Sequence, residues 1–469
     1  MNNRLKKFTI LFGDFVFLYL ALYLALSLRY LSLPSAATWQ DHFFPFTAIF
    51  FGWIIIFYIS GLYDLKAAVN GSEFIRKITQ SLSVAALLSV IFFYASPGMG
   101  IAPKTNLIIF IFIYGIIFVL WRRACNWLLK SRLPKTSLAF AGLNRQASEL
   151  IAYLIKKPHL GYDVKFIVEG KNSADANQAG ENMAETADEK GFKLVFPPII
   201  RISELKNMAE KNKISALIFS ENPRESGELR TALFSCLPLN IKYQSLANFY
   251  EQLTGKVPVE AISEMWFLEN MNEGKKNGFD LFKRVYDIIL AFAILVLTLA
   301  FWPLIALAIK MESQGPVFIR MPRSGKNGAE FGMLKFRSMR EIGNDRSPTL
   351  PGDRRITGFG SFLRKTRLDE IPQALNILRG DMSFVGPRPE RPELILELEK
   401  QIPFYRERML VKPGITGWDQ ISGEYHSPSY EDSLKKLQYD LFYIKNRSLY
   451  LDLSIILKTI ATVVSREGR

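Results

Sequence analysis

Four long apolar runs, at 8–30, 43–63, 78–94 and 107–120, constrain this chain more than any other feature. Each approaches the roughly 20 residues that a helix needs to cross a bilayer, the third and fourth being short. The first run is too long for a signal peptide and has no small-residue cleavage site before the next, so it reads as a span. Basic residues sort by loop. Arg4, Lys6 and Lys7 precede the first run, Lys66, Arg76 and Lys77 lie between the second and third, and Arg122, Arg123, Lys130, Arg132 and Lys135 follow the fourth. The other two loops carry only Lys104, so both the N-terminus and everything after the fourth span are expected in the cytoplasm. No buried charged pair is expected in these spans. Asp14 stands near a span centre, and a transport role from it alone is a weak idea.

Composition supports a membrane setting and an anionic partner. Hydrophobic residues make up 49% of the chain, and the net charge is +15. That charge suits phospholipid headgroups, a lipid phosphate or a nucleotide diphosphate, and no nucleic-acid-binding motif accompanies it. Cys125 and Cys236 are too few for a disulfide framework, and His42, His159 and His426 are scattered without metal-ligand spacing.

After residue 135 the pattern changes to short β-rich runs alternating with amphipathic stretches. Strands are expected at 137–142, 163–169, 193–196, 214–220 and 239–244, with a helix through Ile155 and a polar, acidic loop at 172–190. Alternation of this kind makes a small parallel, Rossmann-like α/β module, assigned here to 136–265. A dinucleotide fingerprint would start at Gly142. Asn144 stands where its second glycine would let a pyrophosphate approach the backbone, which argues against ordinary dinucleotide binding.

A fifth apolar run, 285–309, is interrupted by Asp287 near its start and by Pro303 well inside it. Lys283 and Arg284 precede it, and Lys310, Arg320 and Arg323 follow, so both flanks are basic. A true crossing would put one basic flank outside. Proline removes a backbone hydrogen bond and kinks a helix, so the expectation is a re-entrant helix that dips into one leaflet and returns. Two strands of a hairpin follow, around Gly325 to Gly328. Lys335 and Arg337 alternate with Leu334 and Phe336 on the second strand, on a face that a phosphate can use or that water simply solvates.

The densest chemistry lies at 358–390, GFGSFLRKTRLDEIPQALNILRGDMSFVGPRPE. Asp369 and Glu370 sit between Arg364, Lys365 and Arg367 on one side and Arg379 and Arg388 on the other. Thr366 to Asp369 fits a capping box, and Pro372 suits a first turn, so a helix is expected to open at the carboxylate pair. Such a helix start ringed by guanidinium groups is a place for phosphate. Carboxylates there are ordinarily dipole partners; alternatively they serve a metal ion or a reaction.

These residues have company: KFRSM at 335–339, GDMSFVGPRP at 380–389 and VKPGITGW at 411–418. From about residue 279 to the C-terminus the chain resembles the monotopic phosphoglycosyl transferases, the bacterial sugar transferase family, with the motifs in the family's order. The resemblance implies transfer of a sugar 1-phosphate from a UDP-sugar to undecaprenyl phosphate, with UMP released. It implies Asp369 as nucleophile with Glu370 as its partner, both placed to hold Mg²⁺, and Arg364 and Arg388 on substrate phosphate. Lys335, with Arg337 two residues on, is implied as a basic group at the site, and Asp440 as an acid near it. The residue before the family's break proline is often Ser; here it is Trp302. Membrane lipid and a second copy of the chain are the implied partners, the bacterial inner membrane the implied location, and the cytoplasmic face the side of catalysis.

The expected architecture is therefore a membrane protein of α+β class in three parts. A four-helix transmembrane region (1–135) precedes the Rossmann-like module (136–265), and a small α/β catalytic domain (266–469) carries the re-entrant helix at about 285–309. A last amphipathic stretch begins at Tyr439 and Asp440 and suits either the membrane surface or ordinary packing. Two other classes compete. A membrane-bound nucleotide-sugar dehydratase or epimerase would need the intact glycine fingerprint, and a non-catalytic scaffold would be expected to have lost one of the acids or arginines.

Overall fold

A computed structural model describes residues 3–63, 72–95, 104–131, 135–170, 196–220, 226–271, 276–340, 353–422 and 429–465. Lys66, Arg132, His426, the stretch 172–190, residues 193–195 and most of the expected turn at 347–355 lie outside them. The chain divides into two compact units, Met1–Leu246 and Ala247–Arg469.

The first unit opens with four helices, α1 (Asn3–Tyr30), α2 (Ala36–Ile59), α3 (Ser72–Ala95) and α4 (Lys104–Ser131). All four are long and apolar enough to cross a membrane, and their apolar windows of 22 to 24 residues leave neither the third nor the fourth short. Lipid tails are as apolar as the side chains, so bundle packing relies on close fit and polar contacts between helices. Ala21 and Ala25 are fully buried on α1, and α1 packs chiefly on α4. A Cβ on Gly13 would run into the Trp121 ring, so α1 and α4 approach closely only because position 13 is glycine. Trp53 donates to Ser89 Oγ across α2 and α3 (2.8 Å), and His42 Nε2 meets Asn106 Nδ2 across α2 and α4 (2.9 Å).

One expectation about these helices is overturned. Asp14 and Arg122 form an ion pair at 2.5 Å, their side chains 0% and 2% exposed. Arg122, taken above as a residue of the flanking loop, lies inside α4. The helix runs past the end of its apolar run, and sequence hydropathy sees only the run. Trp121 Nε1 adds a hydrogen bond to Asp14 Oδ1 (3.1 Å), and Arg122 Nη1 donates to the Leu62 carbonyl (2.9 Å). The Arg122 guanidinium also lies over the Tyr63 and Phe118 rings.

The rest of this unit is a five-stranded sheet: β1 (Thr136–Ala141), β2 (Tyr162–Val168), β3 (Ile199–Ile200), β4 (Ala216–Phe219) and β5 (Lys242–Ser245). The order is β3-β2-β1-β4-β5, and every pairing is parallel. Near-continuous apolar runs such as Leu138 to Ala141 are what strands covered on both faces require. The edge strand is at 199–200, a few residues beyond the 193–196 run. Gly142 takes φ +82°, and helix α5 (Arg145–Lys156) follows with Asn144 as its N-cap. Asn144 Oδ1 accepts from Ala147 N at 2.8 Å. The side chain that replaces the second glycine thus occupies the helix N-terminus that a pyrophosphate would use.

In the second unit, helix Asn277–Leu299 and helix Trp302–Glu312 meet at a 65° bend. Pro303 lies in the first turn of the second helix, where its missing N–H is no loss. Its ring opposes the carbonyl four residues back, and Leu299 is where the first helix ends. Trp302, the departure noted above, donates to Thr298 Oγ1 (3.3 Å) and packs its indole on Phe318 and Phe336. The hairpin is β6 (Phe318–Ser324) and β7 (Glu330–Phe336), antiparallel, with Ile319 opposite Lys335. Two shorter strands, β8 (Ser383–Val385) and β9 (Gly414–Thr416), pair in parallel. The C-terminal stretch is two helices, Tyr430–Asn446 and Leu449–Ser465. Leu441, Tyr443, Ile444, Leu451 and Ile455 are buried in one core, so packing claims much of this stretch. Val257 and Val259 join that same core, so residues 247–265, assigned above to the middle module, pack with the second unit.

Removing one partner of a buried ion pair leaves the other charge uncompensated, at roughly 3–5 kcal/mol. Asp14→Asn should therefore lower the thermal midpoint of the detergent-solubilised protein markedly, and Asp14→Leu combined with Arg122→Met should recover most of that loss. An additive double variant would show that the pair is not coupled.

Candidate active site

Asp369 and Glu370 stand at a corner between two helices. Helix Gly358–Lys365 starts on Thr357, whose Oγ1 accepts from Gly360 N (3.0 Å), while both Glu312 carboxylate oxygens accept from Phe359 N (2.9 Å). It ends at Thr366, whose hydroxyl donates to the Phe362 carbonyl (2.8 Å). The expected capping box therefore does not form, because Thr366 closes the helix before the carboxylates and opens none after. Arg367 then takes φ +58°, a left-handed conformation that costs a non-glycine residue of the order of 1 kcal/mol, and the chain turns sharply. Leu368–Glu370 form a 3₁₀ turn, and the next helix is Gln373–Arg379.

Asn376 fixes this corner to the sheet. It is fully buried, accepts from Leu334 N at 2.9 Å and donates to the Gly332 carbonyl at 2.9 Å, as a neighbouring strand would. Lys335, next along β7, consequently points at the carboxylates. Its Nζ is 2.7 Å from Glu370 Oε1 and 3.9 Å from Asp369 Oδ2. Arg388 Nη2 reaches the same Glu370 oxygen at 3.4 Å, and Arg367 lies at 3.9 Å.

Arg388 comes from the turn after β8. A Cβ on Gly386, Gly414 or Gly417 would strike backbone of the facing segment, so the two motif loops touch main chain to main chain only because these positions are glycine. Gly386 N donates to Thr416 O and Gly414 N to Pro387 O, both at 2.9 Å. Two residues of helix Asn277–Leu299 support the same arrangement. Arg284 donates to the carbonyls of Ile377 and Leu378 (2.5 and 2.8 Å), at the end of the helix behind the carboxylates. Asp287 accepts from Phe384 N (3.1 Å), within β8. Sequence reasoning read Arg284 as a topological charge and Asp287 as an interruption. A charged residue inside an apolar run is itself the signal of a buried partner.

The two acids are not equivalent. Burial by itself would raise Glu370, but Lys335 and Arg388 outweigh it and hold its carboxyl down at about 2. Burial raises Asp369 above its ordinary value; Lys335 opposes this, Glu370 adds to it, and Arg364 and Arg367 act from farther off to lower it. Burial therefore outweighs the cations at Asp369, whose nearest ammonium, that of Lys335, lies closer to Glu370. Asp369 Oδ1 is buried and has no hydrogen-bond partner among the described residues.

Not every expected residue converges. Arg364 donates to Met339 Sδ (3.2 Å) and acts on Asp369 through its field, while Lys365 and Arg379 are exposed. Arg337 parts from Lys335: its Nη2 donates to the Ser313 carbonyl (2.6 Å), and its guanidinium lies against Gly315, φ +120°. It holds the end of helix Trp302–Glu312 and makes no hydrogen bond or ion pair with Asp369 or Glu370 among the described residues. Asp440 pairs with Arg408 at 2.7 Å and makes no hydrogen bond or ion pair with Asp369 or Glu370 among the described residues, and burial pushes it up to about 7.

Does the dyad suit a divalent cation? No cluster of three or more His, Cys, Asp or Glu able to hold a metal occurs among the described residues. Asp369 Oδ1 has no hydrogen-bond partner among the described residues, and Glu370 Oε1 is engaged by Lys335 and Arg388. Mg²⁺ ordinarily takes one or two carboxylates and completes its shell with water and substrate phosphate, so the pair fits Mg²⁺ brought together with a phosphate substrate.

Residues 279–466 match the family described as bacterial sugar transferase. A UDP-glucose:undecaprenyl-phosphate glucose-1-phosphate transferase of Xanthomonas campestris pv. campestris is 34% identical over 367 residues, covering 74% of this chain and 70% of that protein. A protein of the same name from Klebsiella pneumoniae is 31% identical, covering 86% and 85%. An Aeromonas hydrophila UDP-N-acetylgalactosamine-undecaprenyl-phosphate N-acetylgalactosaminephosphotransferase is 36% identical over 52% of this chain and 57% of its own length.

Glu370 carries a pH dependence of known sign. A folded-state value near 2 against an ordinary 4.5 contributes stability that is complete above the ordinary value and lost as pH falls through the window between them. Between about pH 5 and pH 3 the wild type should lose more of its thermal midpoint than Glu370→Gln. Parallel acid limbs for the two proteins would contradict the ion network described.

Proposed function

The chain belongs to the bacterial sugar transferase family and is a phosphoglycosyl transferase, and we propose that it transfers a sugar 1-phosphate from a UDP-sugar to undecaprenyl phosphate. The single observation that carries the mechanism is Asp369 Oδ1, a buried, unpartnered carboxylate oxygen beside a Glu370 already neutralised by Lys335 and Arg388. Phosphoryl transfer is chiefly a matter of positioning and charge neutralisation. Asp369 Oδ1 bonds to the β-phosphorus, the bond from that phosphorus to the bridging oxygen breaks, and UMP leaves with the electron pair. An oxygen of the lipid phosphate then attacks the same phosphorus, the acyl phosphate bond breaks, and Asp369 returns as carboxylate. Lys335, Arg388 and the field of Arg364 offset the charge of the diphosphate. Mg²⁺, held by Asp369 and Glu370, would add to that neutralisation. Raised burial of Asp369 makes its carboxylate poorly solvated and hence reactive once ionised.

This transfer is the first membrane step of a polysaccharide or glycoconjugate pathway at the bacterial inner membrane. The bend at Pro303 and the basic flanks support a re-entrant pair that returns the catalytic unit to the cytoplasmic side. The middle module serves structure or regulation in this reading, as Asn144 capping its own helix supports.

Asp369→Asn preserves shape and removes the charge, so it should lose nearly all turnover while unfolding at a similar temperature. Wild-type enzyme given UDP-sugar alone should release UMP in an amount limited by enzyme and gain a phosphosugar mass on Asp369. Release of UMP only after lipid phosphate is added, with no adduct, would favour direct transfer in a ternary complex. Topology has its own check. Single cysteines before residue 8, after residue 131 and beyond residue 312 should all label from the cytoplasmic side only. External labelling of the last would make 278–312 a crossing span.

A further inference from the structure

Asp440 is 2% exposed and lies in helix Tyr430–Asn446, with no hydrogen bond or ion pair to Asp369 or Glu370 among the described residues. Its partner is Arg408, itself 4% exposed. Arg408 places Nε at 3.1 Å and Nη2 at 2.7 Å from Asp440 Oδ2, Nη1 at 2.7 Å from Tyr405 Oη, and Nη2 again at 3.1 Å from the Arg388 carbonyl. Each face of the planar fork is used, which is what a guanidinium does and an ammonium cannot.

The carbonyl it reaches belongs to the residue whose side chain meets Glu370. Pro387 and Pro389 flank Arg388 and supply no N–H, so the turn has few backbone donors with which to fix itself. Gly386 N and the Pro387 carbonyl tie the turn's first half to the 414–416 strand. Its second half is tied through the Arg388 carbonyl to Arg408 and through the Glu390 carbonyl to Ser324 N (3.0 Å). A buried guanidinium holds its place when a carboxylate compensates it, and Asp440 is that carboxylate. Glu390 Oε1, at 3.8 Å from Arg408 Nη1, is the other anion adjoining it.

We propose that Asp440 and Arg408 are positioning residues that hold the Arg388 main chain so that its guanidinium meets both Glu370 and the substrate diphosphate. This rests on the diphosphate reading given above. It moves Asp440 from an acid at the chemistry to a group acting at one remove, through one arginine onto another.

The test uses the full-length chain in nanodiscs and UDP as probe, because UDP carries the diphosphate whatever the sugar. Asp440→Asn, Arg408→Lys and Arg388→Lys should each weaken UDP roughly tenfold, the size of one lost charge-assisted hydrogen bond. The Asp440→Asn/Arg388→Lys double variant should be no weaker than the worse single one. With UDP-glucose or UDP-N-acetylgalactosamine, whichever the wild type turns over, Asp440→Asn should raise KM with kcat changed less than about threefold. Multiplying effects in the double variant, or a collapse of kcat at unchanged KM, would overturn the assignment and return Asp440 to the chemistry. Full UDP affinity in Arg408→Lys would overturn it as well. If Asp440→Asn does not fold, Tyr405→Phe, which removes one acceptor of the same fork, takes its place in the cycle. A wild type that binds no UDP overturns the diphosphate reading and this assignment together, whereas tight wild-type binding with unaffected variants overturns this assignment alone.

Discussion

The interaction on which the site depends is the neutralisation of Glu370 by Lys335 and Arg388. Two adjacent carboxylates in one buried corner repel each other and resist desolvation, and a fold tolerates them only by assigning cations to them. Here the cations go unequally. Glu370 receives close contacts and is held ionised, while Asp369 receives one distant ammonium and keeps an unpartnered oxygen. The same asymmetry that lets the corner fold leaves one acid available for chemistry.

That distribution requires parts of the chain far apart in sequence to meet at hydrogen-bond and ion-pair distance. Lys335 is placed by β7, β7 is gripped by Asn376, and Asn376 belongs to the helix that follows the acids. Arg388 is placed by a turn whose glycines let two backbones touch. Arg284 and Asp287 tie both the helix and the strand to helix Asn277–Leu299. The first helix of the bent pair is therefore more than an anchor to lipid. Its polar residues join the helix behind Asp369 and Glu370 to the strand before Arg388.

Much of this was legible in residue pattern. Apolar runs of span length announce four membrane helices because a bilayer accepts little else, and strand–helix alternation announces a parallel sheet because both of its faces must be covered. Asn144 in place of a glycine spoke against a pyrophosphate on residue pattern alone, and in the structure its side chain caps the helix. Local rules failed where two readings of one residue compete. Thr366 satisfies a capping pattern, yet its hydroxyl closes the preceding helix, and only the left-handed Arg367 decides between the two. Arg122 counted as a loop charge because hydropathy ends at the apolar run, whereas the helix does not.

The sequence by itself determined the membrane region, the α/β character and the identity of the acids and cations, because composition, periodicity and motif spacing are local properties. It did not determine which cation serves which acid. Arg337 and Arg388 read alike as phosphate ligands, yet one holds a loop at Ser313 and the other meets Glu370. Asp440 read as an acid of the site, yet it sits behind Arg408. Only tertiary structure decides such matters, because burial and charge pairing depend on distances between residues that sequence separation does not encode.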